Sequence, residues 1–139
     1  YSGVEGLSLN YAVADTETIG SEAEQTVMKA SYAYGSFTGT VSNNEYDYSA
    51  SGQNDEEVDS WQIAYTVSDD LSVSYGSETR DTATKTVDEE AEAINVSYTT
   101  GGVTLSATQY EFTGKGNSNT ESASTGDVER WALSATFAF

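Results

Sequence analysis

The sequence predicts an all-β fold: an antiparallel transmembrane β-barrel region, with eight strands in this chain and residues 1–139 forming a single unit. Three observations predict it. Bulky apolar and small polar residues alternate with period two along most of the chain, and no segment shows a helical face. Each strand-like segment runs roughly ten residues, against ~5–6 in soluble proteins, and about ten is what a tilted strand needs to cross a bilayer. The connections alternate between short and long.

Taken in order, the strands are expected at about Gly6–Asp15, Glu24–Tyr34, Phe37–Tyr48, Val58–Val67, Leu71–Arg80, Ala91–Thr99, Val103–Phe112 and Val128–Phe139. Short turns fall at Gly35-Ser36, Ser68-Asp69-Asp70 and Thr100-Gly101-Gly102, a repeat that also suits paired-helix arrays. The two-residue alternation inside each unit favours a long-strand hairpin instead. Longer polar connections are expected at Thr16–Ala23, Ser49–Glu57, Asp81–Glu90 and Thr113–Asp127, and most acids are expected in or beside them.

Composition narrows the function. The chain has 23 acidic and 5 basic residues and a formal net charge of −18. No basic footprint for nucleic acid exists, so no nucleic-acid partner is expected. There is no Cys, His or Pro. That removes disulfides, thiolate metal sites and Ser-His-Asp chemistry, and it suits backbone N–H groups committed to ladders. No apolar run is long enough for a transmembrane helix. The start at Tyr1, with neither Met nor a leader pattern, is expected from processing or truncation. No strand sets two carboxylates together for glycoside hydrolysis, so no enzymatic activity is expected.

The two faces differ in kind. One carries Leu7, Leu9, Tyr11 and Val13, then Met28, Tyr32 and Tyr34, and continues this way to Trp131, Leu133, Phe137 and Phe139. The other carries mainly Ser, Thr, Ala and Asn, plus Lys29, Arg80 and Arg130. A solvated outer sheet surface usually bristles with Lys and Glu. A wall between a wet lumen and lipid does not. Hydrocarbon cannot satisfy free backbone groups, so such a sheet must close into a barrel.

Aromatic girdles are expected at both interfaces: Tyr34, Phe37, Tyr65, Tyr98, Phe137 and Phe139 at the short-turn end, and Tyr46, Tyr48, Tyr110, Phe112, Trp61 and Trp131 at the other. In the third and seventh strands Tyr46, Tyr48, Tyr110 and Phe112 are out of phase with Phe37 and Val103. A bulge restoring the phase is expected, since otherwise Glu45 and Glu111 face lipid; the alternative points these rings into the mouth.

With long antiparallel strands, long acidic loops and a last strand ending in Phe139, the chain resembles the C-terminal half of a Gram-negative trimeric porin. The likeness is to the acidic general-diffusion porins of marine and other α-proteobacteria. It covers the whole chain in layout, while its specific motif is the final strand. There Trp131, Leu133, Phe137 and Phe139 match the pattern read by the outer-membrane assembly machinery. The resemblance implies an outer-membrane barrel of about 16 strands, a homotrimer, a lipid and lipopolysaccharide environment, and a water-filled channel for small hydrophilic solutes. The family's constriction loop is absent from this chain.

A larger barrel is expected over a closed eight-stranded one for two reasons. The inward set is too small to plug the latter, and Tyr1 to Leu7 repeats the spacing of Tyr65 to Leu71. The pore-lining candidates are Lys29, Gln62, Glu78, Arg80, Asn95 and Arg130. Their basic members are either a ladder setting a transverse field or isolated charges paired to neighbours such as Glu78. Asp55, Glu56, Glu57, Asp59, Asp88, Glu89 and Glu90 are conceivable weak Ca²⁺ contacts, although a solvated rim that keeps the mouth hydrated is the favoured reading of them and the spacing of a dedicated calcium loop is missing. No other cofactor is expected. Two further readings stay open: a non-conducting structural or adhesive outer-membrane barrel whose acidic loops bind a partner, and a soluble secreted β-sandwich or surface-layer module.

Overall fold

Extended segments this long satisfy their backbone only by pairing with one another, and the chain does so in the simplest order. In the computed structural model, residues 3–18, 21–49, 54–85, 87–114 and 127–137 are described. The strands are β1 (Leu7–Thr18), β2 (Ser21–Tyr34), β3 (Phe37–Tyr48), β4 (Glu56–Ser68), β5 (Leu71–Thr82), β6 (Glu89–Thr100), β7 (Val103–Thr113) and β8 (Val128–Phe137). They form one antiparallel sheet in sequence order. The sheet is open, with β1 and β8 as its edges.

The short turns stand where the sequence predicts them, at residues 35–36, 69–70 and 101–102. Gly101 and Gly102 have φ of 55° and 81°. Two such left-handed residues in succession make a type I′ turn, whose twist matches that of the flanking strands. The long connections are shorter than expected. Thr16, Glu17 and Thr18 pair with Ala23, Glu22 and Ser21, so most of the presumed first loop is ladder. Glu56, Glu57, Asp81 and Thr82 also pair, as do Arg80 and Glu89. Continuing an existing ladder satisfies both backbone groups of every second residue, and that outweighs the weak strand preference of Asp and Glu.

The register corrects a second expectation. β3 pairs without a break from Phe37 to Tyr48, and β7 from Val103 to Thr113. No bulge restores the phase of their aromatics. The only register shift among the described pairs lies between Thr66 and Ser68, beside the β4–β5 turn.

No hydrophobic residue among those described is buried. The chain forms one layer, and its apolar side is uncovered. Along β6 the residues alternate between half-buried Glu89, Ala91, Ala93, Asn95 and Ser97 and exposed Glu90, Glu92, Ile94, Val96 and Tyr98. The face with the smaller side chains is the more sheltered one, so the sheet curves around it.

Candidate functional site

The sheltered face holds every expected pore-lining residue. Lys29, Ser42, Ser60 and Glu78 follow one another along a single row of cross-strand partners. In the next row Gln62 lies between Thr40 and Gly76, and Arg130 stands opposite Tyr110. A concave groove of about 790 Å³ runs over this face and takes in Lys29, Gln62, Glu78, Asn95, Tyr110 and Arg130. Arg80 is not among its lining residues; its Nη1 lies 3.7 Å from the Glu89 carboxylate, so its partner is Glu89 rather than Glu78. That pair is half-exposed, and such pairs contribute little stability. Lys29 and Arg130 have no ion pair among the described residues.

The lower part of the sheltered face is a lattice of hydroxyls and amides. Asn95 donates to Ser106 at 3.1 Å and to Thr108 at 2.6 Å. Ser42 and Ser60 share a bond at 2.8 Å, and Thr40 donates to Ser31 at 3.1 Å. Bonds of this kind leave spare lone pairs for water, so the surface is wettable.

Nearer the long connections this face changes character. Tyr46 lies opposite Gln25 and Tyr110 opposite Ala93, which puts these rings on the sheltered side. Gln25 donates to the Tyr46 hydroxyl at 2.8 Å, and the Tyr110 and Phe112 rings meet edge to face at 5.4 Å. Tyr46, Tyr48, Tyr110 and Phe112 therefore do not join an outer girdle with Trp61 and Trp131. The inward set is also not uniformly small, so the argument against a self-filled interior holds only for the end near the short turns.

The exposed face is apolar only over a band. On β1 the band is Leu7, Leu9, Tyr11 and Val13, and Asp15 follows; on β8 it is Phe137, Ala135, Leu133 and Trp131, and Glu129 follows. Its last apolar members on β2 to β7 are Met28, Val41, Trp61, Tyr75, Ile94 and Ala107, each followed two residues on by Thr26, Asn43, Asp59, Ser77, Glu92 or Gln109.

This border runs obliquely across the sheet. From Trp131 one row of partners passes through Gln109, Ile94, Tyr75, Ile63, Gly39 and Tyr32 to Leu7, six residues short of the border at Val13. From Ala107 a row reaches Tyr34, six residues short of Met28. With ~3.3 Å per residue and ~4.8 Å between strands, the border is level when the strands tilt by about 30–40°. The short-turn rim drifts alike. The row through the β2–β3 turn pair Tyr34 and Phe37 meets β7 at Ala107, four residues beyond the β6–β7 turn pair Thr100 and Val103.

Above the border the exposed face is a collar of carboxylates. Glu45 does face outward, opposite Glu57, which in turn pairs with Asp81. Glu111 stands between Glu92 and Glu129. Several of these are tied to neighbours: Asn43 donates to Glu57 at 2.7 Å and to Asp59 at 3.0 Å, Tyr75 to Glu92 at 2.9 Å, and Gln109 to Glu129 at 2.7 Å.

The conceivable calcium contacts are divided between faces. Glu57, Asp59 and Glu90 lie outward, Glu56 and Glu89 lie on the sheltered side, and the Asp55 carboxylate accepts from the Tyr48 N–H at 2.8 Å. Among the described residues no three acids converge on a point that could hold a metal ion. Of the terminal pattern, Trp131, Leu133 and Phe137 are exposed on the apolar face, while Phe139 lies outside the described residues.

Comparisons with protein-family models, curated proteins and solved structures return no match.

Proposed function

We propose that this chain is part of the wall of an outer-membrane porin, a water-filled channel that passes small hydrophilic solutes and ions by diffusion and without catalysis. The observation that supports it best is the pairing of an uncovered apolar band on the outward side with a wettable Ser/Thr/Asn lattice on the sheltered side. Lipid meets the first and water the second. The edges β1 and β8 cannot stay open in hydrocarbon, so the sheet closes with further strands into a barrel; the resembling family has about 16. The same reading places the protein in the Gram-negative outer membrane among lipopolysaccharide, as a homotrimer inserted by the assembly machinery through the Trp131, Leu133 and Phe137 side of β8. A formal charge of −18, with its acids gathered toward one rim, enriches cations at the mouth and makes the channel prefer them.

Conductance in planar bilayers tests the reading. Discrete ohmic steps, with a reversal potential of cation-selective sign under a salt gradient, are expected. A second reading, a non-conducting barrel whose acidic loops bind a partner, is favoured by the Tyr46, Tyr48, Tyr110 and Phe112 rings on the sheltered side. Insertion without conductance would select it.

A further inference from the structure

Resting on the outer-membrane reading, we infer that the apolar band fits a bilayer with an unusually thin hydrocarbon core, and that the carboxylate collar sets this limit. The band spans seven residues on β1 (Leu7–Val13) and on β2 (Met28–Tyr34), but only five on β3 (Phe37–Val41) and on β6 (Ile94–Tyr98). At ~3.3 Å per residue and a tilt near 35°, these lengths correspond to a height of about 14–19 Å, against ~25 Å for the apolar band of outer-membrane barrels.

The limit is firm at both ends. Below lie the short turns, whose drift of four residues between β2 and β7 against the border's six keeps the band within two residues of one height across these strands. Above, the first groups past the border are largely carboxylates and amides on short stems. Asn43, Tyr75 and Gln109 hold Glu57, Asp59, Glu92 and Glu129 against the wall by hydrogen bonds of 2.7–3.0 Å. Side chains held this way cannot reach several ångströms further to find water, as a Lys or Arg could. A thicker bilayer must thin locally, or immerse ionised carboxylates in hydrocarbon. Continuous mismatch around the wall makes the first option a graded preference for short acyl chains.

Trp61 and Trp131, 40% and 71% exposed and both at the border, report that preference directly. The test reconstitutes the full chain in phosphatidylcholine vesicles with one brominated lipid. Tryptophan quenching then measures how strongly unsaturated chains of 14, 16, 18 and 20 carbons compete for the protein's surface. The shortest is expected to win, with relative binding falling about threefold from the shortest to the longest. The variant Asn43→Leu/Asp59→Leu/Ser77→Leu/Glu92→Leu raises the border by one row on four strands and is expected to move the optimum to longer chains.

An optimum at 18 carbons or more for the unsubstituted chain overturns the inference and leaves the outer-membrane reading standing. So does an optimum that the variant fails to move. Absence of acyl-chain quenching in every vesicle overturns both.

Discussion

The half of the sheet next to the short turns and the half next to the long connections are built from the same eight strands with opposite polarity. Near the short turns, Tyr65, Val73 and Val96 stand outward and Thr66, Ser72 and Ser97 inward. Near the long connections, Glu57, Asp81 and Glu111 stand outward while Tyr46, Val58 and Phe112 turn inward. The second half leans toward the ordinary rule of a solvated sheet, with acids outward and several apolar rings inward, although Glu56, Arg80 and Glu89 share the sheltered face with them. The first inverts it. On the proposed outer-membrane reading, one strand obeys both rules because the medium outside changes along its length, from hydrocarbon to water. On that reading the Glu residues of the outward face do not contradict a lipid-facing band; they mark where it stops.

The comparison breaks most decisively at the middle of the band. Val96→Arg sets a cation on the outward face between Ile94 and Tyr98, and about 2–4 kcal/mol of stability in lipid vesicles is expected to be lost, read from the urea midpoint. The neighbouring Asn95→Arg on the sheltered face should cost far less. Equal losses would mean the two faces meet the same medium.

Two glycines sharpen the contrast next. A Cβ at Gly76 on the sheltered face would lie 2.6 Å from the Trp61 carbonyl oxygen, whereas one at Gly39 on the outward face meets nothing within 4 Å. Gly76→Val should destabilise by about 1–3 kcal/mol, and Gly39→Val should be tolerated. Thermal melts in detergent decide the point; the reverse ranking would overturn the strand spacing around Gly76.

A smaller effect belongs to the collar. Glu111 faces like charges on both sides, so Glu111→Gln should raise stability by about 0.5 kcal/mol at low salt. The gain should vanish near 1 M salt, where screening acts within ~3 Å. Smallest of all, Lys29→Glu should shift the reversal potential further toward cations by a few millivolts, and a shift toward anions would remove Lys29 from the conducting path.

Much of this was legible from alternation. Every candidate lining residue from Lys29 to Arg130 lies on the sheltered face, and the three short turns stand where Gly35, Asp69-Asp70 and Gly101-Gly102 mark them. Strand ends were less legible, since Thr16, Glu17 and Asp81 look like loop residues in isolation and become ladder residues only when a partner strand lies beside them. The phase of Tyr46 and Tyr110 is hard to read for a related reason. Alternation within one strand shows that the phase changes, and only the unbroken ladders of β3 and β7 show that no bulge restores it.

Period, turn positions and the separation of charge from apolar bulk are local properties, carried by each residue and its neighbours two places away, and the sequence alone determined them. The oblique course of the border, its agreement with strand tilt, and the switch of polarity between faces exist only across strands. They were decided by the cross-strand hydrogen-bond register, because only there do Trp131 and Leu7 come to share a row.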